Sequence, residues 1–197
     1  MKKYFFIIPA FFLLLFALPS TIVSAATSTT TINVAVASVI TISSGGTLNL
    51  SVTPSGSGAQ TVGSDTVTIS TNDSAGYTLK ISNSSASTAN LISGSNTISP
   101  SAGTQASPTV PQSVNSWGYC VTGVGGFACP TVASASQAIS NTYSFAGTPL
   151  SASPNTLKVT ATTATNDTTV VWYGVSADTT KPSGTYASTV TYTGIAN

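Results

Sequence analysis

The sequence predicts an all-β fold, an antiparallel β-sandwich of the immunoglobulin-like kind, behind an N-terminal helical signal peptide. Three observations support this. Short runs alternate apolar residues with Ser or Thr, turn signals rich in Gly, Pro and Asn separate them, and no helical periodicity follows the first residues. Alternation with period two is typical of strands with one face in a core and one in water. Many short strands with frequent turns are typical of sandwiches.

The first residues show the three-part pattern of a secretory signal peptide. Two lysines precede an apolar run from Tyr4 to Leu18, and small residues follow, with cleavage expected after Ala25 or Ala26. The run is shorter than the ~20 residues that a membrane-spanning helix needs. We therefore expect residues 1–26 to be the signal peptide, whose membrane contact ends with cleavage, and residues 27–197 to form one secreted domain.

Alternating runs along the rest of the chain predict the strands. In order they are INVAVASVITI (32–42), LNLSV (48–52), DTVTIS (65–70), GYTLKIS (76–82), TLKVT (156–160), TVVWYGVS (169–176) and TYASTVTYTG (185–194). Turn signals separate them at 43–46, 53–58, 71–76 and 179–184. The segment from Ser84 to Val114 lacks a clear pattern, although Leu91-Ile92 and Ile98 are candidates for short strands. We interpret it as a long surface excursion, with a mobile linker as the alternative.

The composition excludes several classes of function. Only 5% of the residues are charged and the chain has no His, so it lacks the clustered Lys and Arg that capture nucleic acids or anionic membranes. A Ser-His-Asp triad is excluded, and a paired-carboxylate glycosidase would need two of the four aspartates. The sequence therefore predicts a protein that is not an enzyme and has no cofactor and no metal site.

Both cysteines lie in one glycine-rich stretch, NSWGYCVTGVGGFACP (115–130). A structural zinc site needs four ligands, mostly Cys and His. A reactive thiol needs a nearby base or positive charge, and the nearest lysines, Lys80 and Lys158, are distant in sequence. Because disulfides persist in exported proteins, we expect Cys120 and Cys129 to form a disulfide across a hairpin.

Four aromatic residues are candidates for ligand contact. Tyr77 and Trp172 lie on predicted strands, and Trp117 and Tyr119 project from one face of a further strand that we expect before the glycine-rich turn. Their rings could stack on sugars. In TVVWYGVS, Trp172 and its neighbour Tyr173 point to opposite faces, so one of them faces away from a one-sided core. The alternative is that most of these rings anchor the core, since large aromatics dominate core burial.

Two quoted stretches together resemble a known family. VTISTNDSAGYTLKIS (67–82) and KPSGTYASTVTYT (181–193) are similar in layout to the WxL cell-wall-binding domains of Gram-positive bacteria, which are exported, β-rich and bind peptidoglycan non-covalently. Tyr77-Thr78-Leu79 takes the place of the first W-x-L motif, with Tyr for Trp, and Tyr192-Thr193-Gly194 stands at the second.

Two further resemblances concern assembly and cell-surface location. WYGVSADTTKPSGTYASTVTYT (172–193) resembles the last strands of spore-coat-U-type pilin domains, which form surface fibres. The whole exported part is similar to uncharacterised Ser/Thr-rich secreted surface proteins of ultra-small bacteria.

We therefore expect a secreted, non-catalytic protein of the cell surface. Its expected partners are cell-wall polysaccharide, peptidoglycan or surface glycans, bound without a covalent link. The alternative function is a pilin-like or surface-layer subunit, or an adhesin, whose partner is another copy of itself added through a β-strand.

Overall fold

The computed structural model describes residues 25–197, so the signal-peptide prediction for residues 1–26 falls almost wholly outside the described residues. The ten strands of the described part are β1 Ile40–Ser43, β2 Ala59–Thr71, β3 Tyr77–Asn83, β4 Leu91–Ser93, β5 Asn96–Pro100, β6 Ser116–Val121, β7 Ser134–Ala138, β8 Asn155–Val159, β9 Ala164–Ala177 and β10 Val190–Ala196. These residues contain no helix, which confirms the all-β prediction. Accordingly, no helix between residues 25 and 197 is long and apolar enough to cross a membrane.

The strands form two sheets. A seven-stranded sheet has the order β1-β2-β9-β6-β5-β4, with β7 pairing to β2, and a three-stranded sheet has the order β10-β3-β8. The smaller sheet is antiparallel. The larger sheet is mixed because β5 and β6 pair in parallel, at Ser99 with Ser116 and Pro100 with Trp117. The prediction of purely antiparallel sheets is therefore wrong at this pair.

The long strands β2 and β9 form the centre of the larger sheet. They pair antiparallel, with Val67 opposite Thr169 and Thr61 opposite Val175. On the other edge of β2, β1 pairs with the end of the strand and β7 pairs with its beginning. Strand β9 is buried from Val171 onward, where β6 pairs with its second edge, and its first half is mostly exposed. Strand β2 supports shorter strands.

The main core draws side chains from both sheets. In β2 and β3 the predicted inward residues are buried as the alternation required: Val67, Ile69, Tyr77, Leu79 and Ile81 are at most 1% exposed. They pack with Leu157 of β8 and with residues of β6 and β9. Removing this apolar surface from water supplies the main favourable free energy of the fold.

The N-terminal part of the compact unit differs most from the sequence prediction. Residues 37–197 form one compact unit. Of the predicted strand at 32–42, only the residues from Ile40 onward form a strand, which is β1 (Ile40–Ser43). The predicted strand LNLSV (48–52) is irregular. Strand β10 begins only at Val190. Residues 25–36 form no helix or strand, and their side chains are exposed.

Candidate functional site

The four aromatic residues predicted to contact a ligand all lie in the core. Tyr77 and Tyr119 are fully buried, Trp117 is 5% exposed and Trp172 is 8% exposed. The indole of Trp117 donates its Nε1–H to the Ala89 carbonyl at 2.8 Å and stacks on Tyr173 with 6.5 Å between ring centroids. These rings are not available for stacking on a sugar, so the expected aromatic surface is wrong. Their positions agree with the alternative, in which these rings anchor the core.

Tyr77 belongs to a polar cluster that links the two sheets. Its hydroxyl donates to Asp167 Oδ2 at 2.9 Å, and Lys158 Nζ donates to Asp167 Oδ1 at 2.6 Å. Tyr77 and Lys158 lie in the three-stranded sheet, whereas Asp167 lies on β9 of the other sheet. The hydrogen bond from Lys158 is the main reason that the pKa of Asp167 is lowered, with a further contribution from Tyr77. Burial, followed by the contact with Asp167, raises the pKa of Tyr77.

The hydroxyl of Tyr119 makes a second link between the sheets. It donates to Gln105 Oε1 at 2.9 Å and accepts from Asn155 Nδ2 at 2.8 Å. Gln105 in turn donates its Nε2–H to the Thr156 carbonyl at 2.8 Å. Burial raises the pKa of Tyr119 above its ordinary value. Two side-chain amides are thereby held in fixed positions above β6 and β8.

The disulfide between Cys120 and Cys129 is present, as the sequence predicted. Cys120 lies on β6, opposite Trp172 of β9, and is fully buried. Cys129 lies in the irregular segment between β6 and β7, so the disulfide joins a strand to the loop that follows it. The predicted position across a hairpin is therefore wrong. The bond fixes a loop that carries Gly123, Gly125 and Gly126.

A groove opens between this disulfide-bonded loop and the amides held by Tyr119. We call it the polar groove; its volume is about 590 Å³, and its lining includes Thr104, Gln105, Gly125, Gly147, Ser153 and Asn155. The loop contacts the groove directly, since Gly126 N donates to the Gln105 carbonyl at 3.4 Å. The groove is more open than enclosed, so a ligand bound here would stay partly in contact with solvent.

The polar groove has the chemistry of a site for a neutral ligand. Its lining contains amides, hydroxyls and backbone groups together with the apolar side chains of Ala106 and Pro149, and no ionisable side chain. Such groups donate and accept hydrogen bonds without selecting for charge. Nothing in the sequence marked Gln105 and Asn155, because they lie in Ser- and Pro-rich stretches that resemble ordinary turns.

Within residues 25–197, no three side chains of His, Cys, Asp or Glu come together as metal ligands would. The four aspartates lie apart, at positions 65, 73, 167 and 178. Asp65 accepts from the Gly45 amide at 2.7 Å, and Asp73 accepts from the Ala75 amide at 2.8 Å. Asp178 accepts from the Thr180 amide at 2.9 Å. In these three aspartates a carboxylate oxygen organises local backbone.

Comparison of the chain with models of known protein families, with curated protein sequences and with solved structures found no match.

Proposed function

We propose that this chain is a secreted, non-catalytic protein of the cell surface that binds neutral glycans of the cell envelope in the polar groove. The observation that carries the proposal is the groove itself: an uncharged, hydrogen-bonding concavity of about 590 Å³ beside a disulfide-bonded loop. The signal-like N-terminus and the disulfide support a location outside the cell. As part of the same proposal, the two sheets pack face to face as a sandwich, supported by a core that both sheets share.

Preorganised amides give the groove its specificity in this proposal. Gln105 and Asn155 are each held by the Tyr119 hydroxyl, so their remaining donors and acceptors keep fixed directions. A ligand then binds with less loss of side-chain entropy than free amides would require. Sugar hydroxyls, which both donate and accept, match such a surface. A charged ligand would lose hydration without gaining an ionic partner.

The test is co-sedimentation of the exported protein with purified peptidoglycan sacculi, beside a tube without sacculi. A bulky side chain in the groove, Ala106→Trp, is expected to weaken pelleting at least tenfold because it fills the site. The matched control is Ala161→Trp, at an exposed position outside the groove. If the wild-type protein stays in both supernatants, or if both variants pellet like wild type, the polar groove is not a site for envelope glycans.

A second function, a structural subunit that assembles by strand addition, is favoured by a different observation. Strands β1 and β10 are each paired along one edge only. Both line a second groove of about 310 Å³, and neither contains a charged residue. Natural sheet edges are usually protected by charges, prolines or bulges, and an unprotected edge accepts another strand. Pelleting without sacculi would favour this second function over glycan binding.

A further inference from the structure

We propose that residues 31–36, TINVAV, of one copy of this chain pair as an added strand with β1 and β10 of a second copy. The inference deepens the second function above and rests on it. It names the donor segment, the acceptor groove and the partner, which is another copy of the same chain.

The donor segment has the pattern of a strand with one apolar face, although no strand is formed. Ile32, Val34 and Val36 alternate with Asn33 and Ala35. Their side chains are 82%, 80% and 81% exposed. A single exposed apolar residue is ordinary on a protein surface. Three in strict alternation would lie on the same face of an extended strand, and burying that face on assembly would be favourable because it removes apolar surface from water.

The acceptor is the groove between the free edges of β1 and β10, which we call the seam. It is lined by Ile42, Ser43, Ser44, Val190, Thr191 and Tyr192. Ile42 is 41% exposed, so apolar surface remains uncovered. Beside the seam, β1 and β10 are in direct contact, since a Cβ on Gly194 would lie 3.3 Å from Ile40 Cδ1. An added strand would form backbone hydrogen bonds with the free edges of β1 and β10, and its apolar face would pack on the apolar side chains of the seam.

The path of the chain before β1 favours a second copy as the donor. The Asn72 amide donates to the Val39 carbonyl at 3.3 Å, and the Val39 amide donates to Asn72 Oδ1 at 2.7 Å. Asn72 Nδ2 also donates to the Ala37 carbonyl at 2.9 Å. These bonds continue the β1–β2 ladder beyond Ile40, so residues 37–39 do not form the reverse turn that a hairpin with β1 would require.

Electrostatic repulsion does not oppose pairing of the donor segment with the seam. No charged residue occurs between residues 4 and 64, and β10 has none. Like charges on facing edges are one of the devices that prevent strand addition, and this chain lacks them at both surfaces. Because donor and acceptor are different parts of one chain, the contact is heterologous and can propagate into a fibre or close into a ring.

The first experiment uses a charge on one face of the donor segment. Val34→Asp places a carboxylate on the apolar face, whereas the matched control Ala35→Asp places it on the opposite face. Sedimentation velocity of the exported protein is expected to show concentration-dependent oligomers for wild type and Ala35→Asp, and monomer for Val34→Asp. Both sites are exposed and outside the compact unit, so neither substitution should alter its folding.

The second experiment locates the acceptor. Val34→Cys in one preparation and Thr191→Cys in another are mixed under mild oxidation; the described residues contain no free cysteine that would compete. A disulfide-linked dimer is expected, and its yield should fall at least tenfold when the control position Ala161→Cys replaces Thr191→Cys.

Three outcomes would overturn the proposal: a wild-type protein that stays monomeric, equal assembly of Val34→Asp and wild type, or equal crosslinking at positions 191 and 161. Sacculus binding by Ala35→Asp and Val34→Asp is measured in parallel. Loss of assembly with retained binding separates this proposal from the glycan site.

Discussion

Gly118 and Gly174 face each other on β6 and β9, and the missing side chains leave room for the segment that crosses them. A Cβ on Gly174 would lie 2.6 Å from Phe145 Cζ, and one on Gly118 would lie 2.4 Å from the Ala146 carbonyl oxygen. Phe145 is fully buried. The glycine pair therefore allows Phe145 and Ala146 to pack directly on the sheet.

Gly174→Ala is expected to lower the free energy of unfolding by about 1–3 kcal/mol, because the added methyl group must displace a buried ring. Urea unfolding followed by tryptophan fluorescence measures the change. The control is Gly56→Ala, where no atom lies within 4 Å of the added carbon. That substitution should change stability by no more than about 0.5 kcal/mol. Equal effects of the two substitutions would contradict the packing role of Gly174.

At the scale of elements, the loop after β6 is held by the disulfide and by hydrogen bonds to the segments beside it. The disulfide holds Cys129 to the strand, and Gly126 N bonds to the Gln105 carbonyl. The loop thus supports the backbone of Gln105, whose side-chain amide lines the polar groove. The stability of this loop and the shape of the polar groove should therefore depend on each other.

Replacing both cysteines, Cys120→Ser with Cys129→Ser, is expected to cost about 2.5–3 kcal/mol of stability, the loop-closure entropy for a loop of this length. Under the proposed function it should also weaken sacculus binding, because Gln105 loses the support of the loop. Chemical denaturation of the oxidised, reduced and double-variant proteins measures the first effect. An unchanged unfolding midpoint after reduction would show that the disulfide does not stabilise the loop.

Strands were predicted most accurately where one face of the strand is exposed to solvent. Buried and more exposed residues alternate from Thr66 to Thr71 in β2 and from Tyr77 to Ile81 in β3, and the inward residues of these stretches were identified correctly. Strand β7, SASQA, was missed because it has no large apolar residue and pairs with β2 through its backbone. The candidate aromatics were misplaced because β6 is buried throughout, as is β9 from Val171 onward. When both faces are covered, alternation no longer tells which side chain is outside. The polar groove, made of loop residues, left no periodic signal.

For the whole molecule, tyrosine hydroxyls link the two sheets. Tyr77 bonds to Asp167, Tyr119 bonds to Asn155, and the Tyr173 and Tyr192 hydroxyls lie 2.6 Å apart. In each pair one residue belongs to the larger sheet and the other to the smaller. A tyrosine buries its ring in the core and reaches a polar partner at its tip. These pairs fix the position of one sheet against the other.

Asp167→Asn tests one of these links and should show a dependence on pH. The pKa of Asp167 is lowered in the folded state, so its contribution to stability is complete above the unfolded value of about 3.9 and is lost as the pH falls through the folded pKa. At pH 7 the variant should be less stable by up to about 1 kcal/mol, because the ion pair is partly exposed. Thermal unfolding from neutral to acid pH measures the difference, and a difference that stays constant would contradict this role.

The placement of the lysines has a consequence for resistance to proteases. Between residues 25 and 197 the chain has three lysines and no arginine, so a trypsin-like protease finds few sites. Lys80 lies in the central strand of its sheet, and Lys158 of β8 is ion-paired with Asp167 of β9. Lys181 donates to the Thr97 carbonyl and precedes a proline. Such a protease needs an extended, accessible segment, and strands held in a sheet do not provide one until they open. The folded protein should therefore withstand digestion that cleaves it readily once it is unfolded.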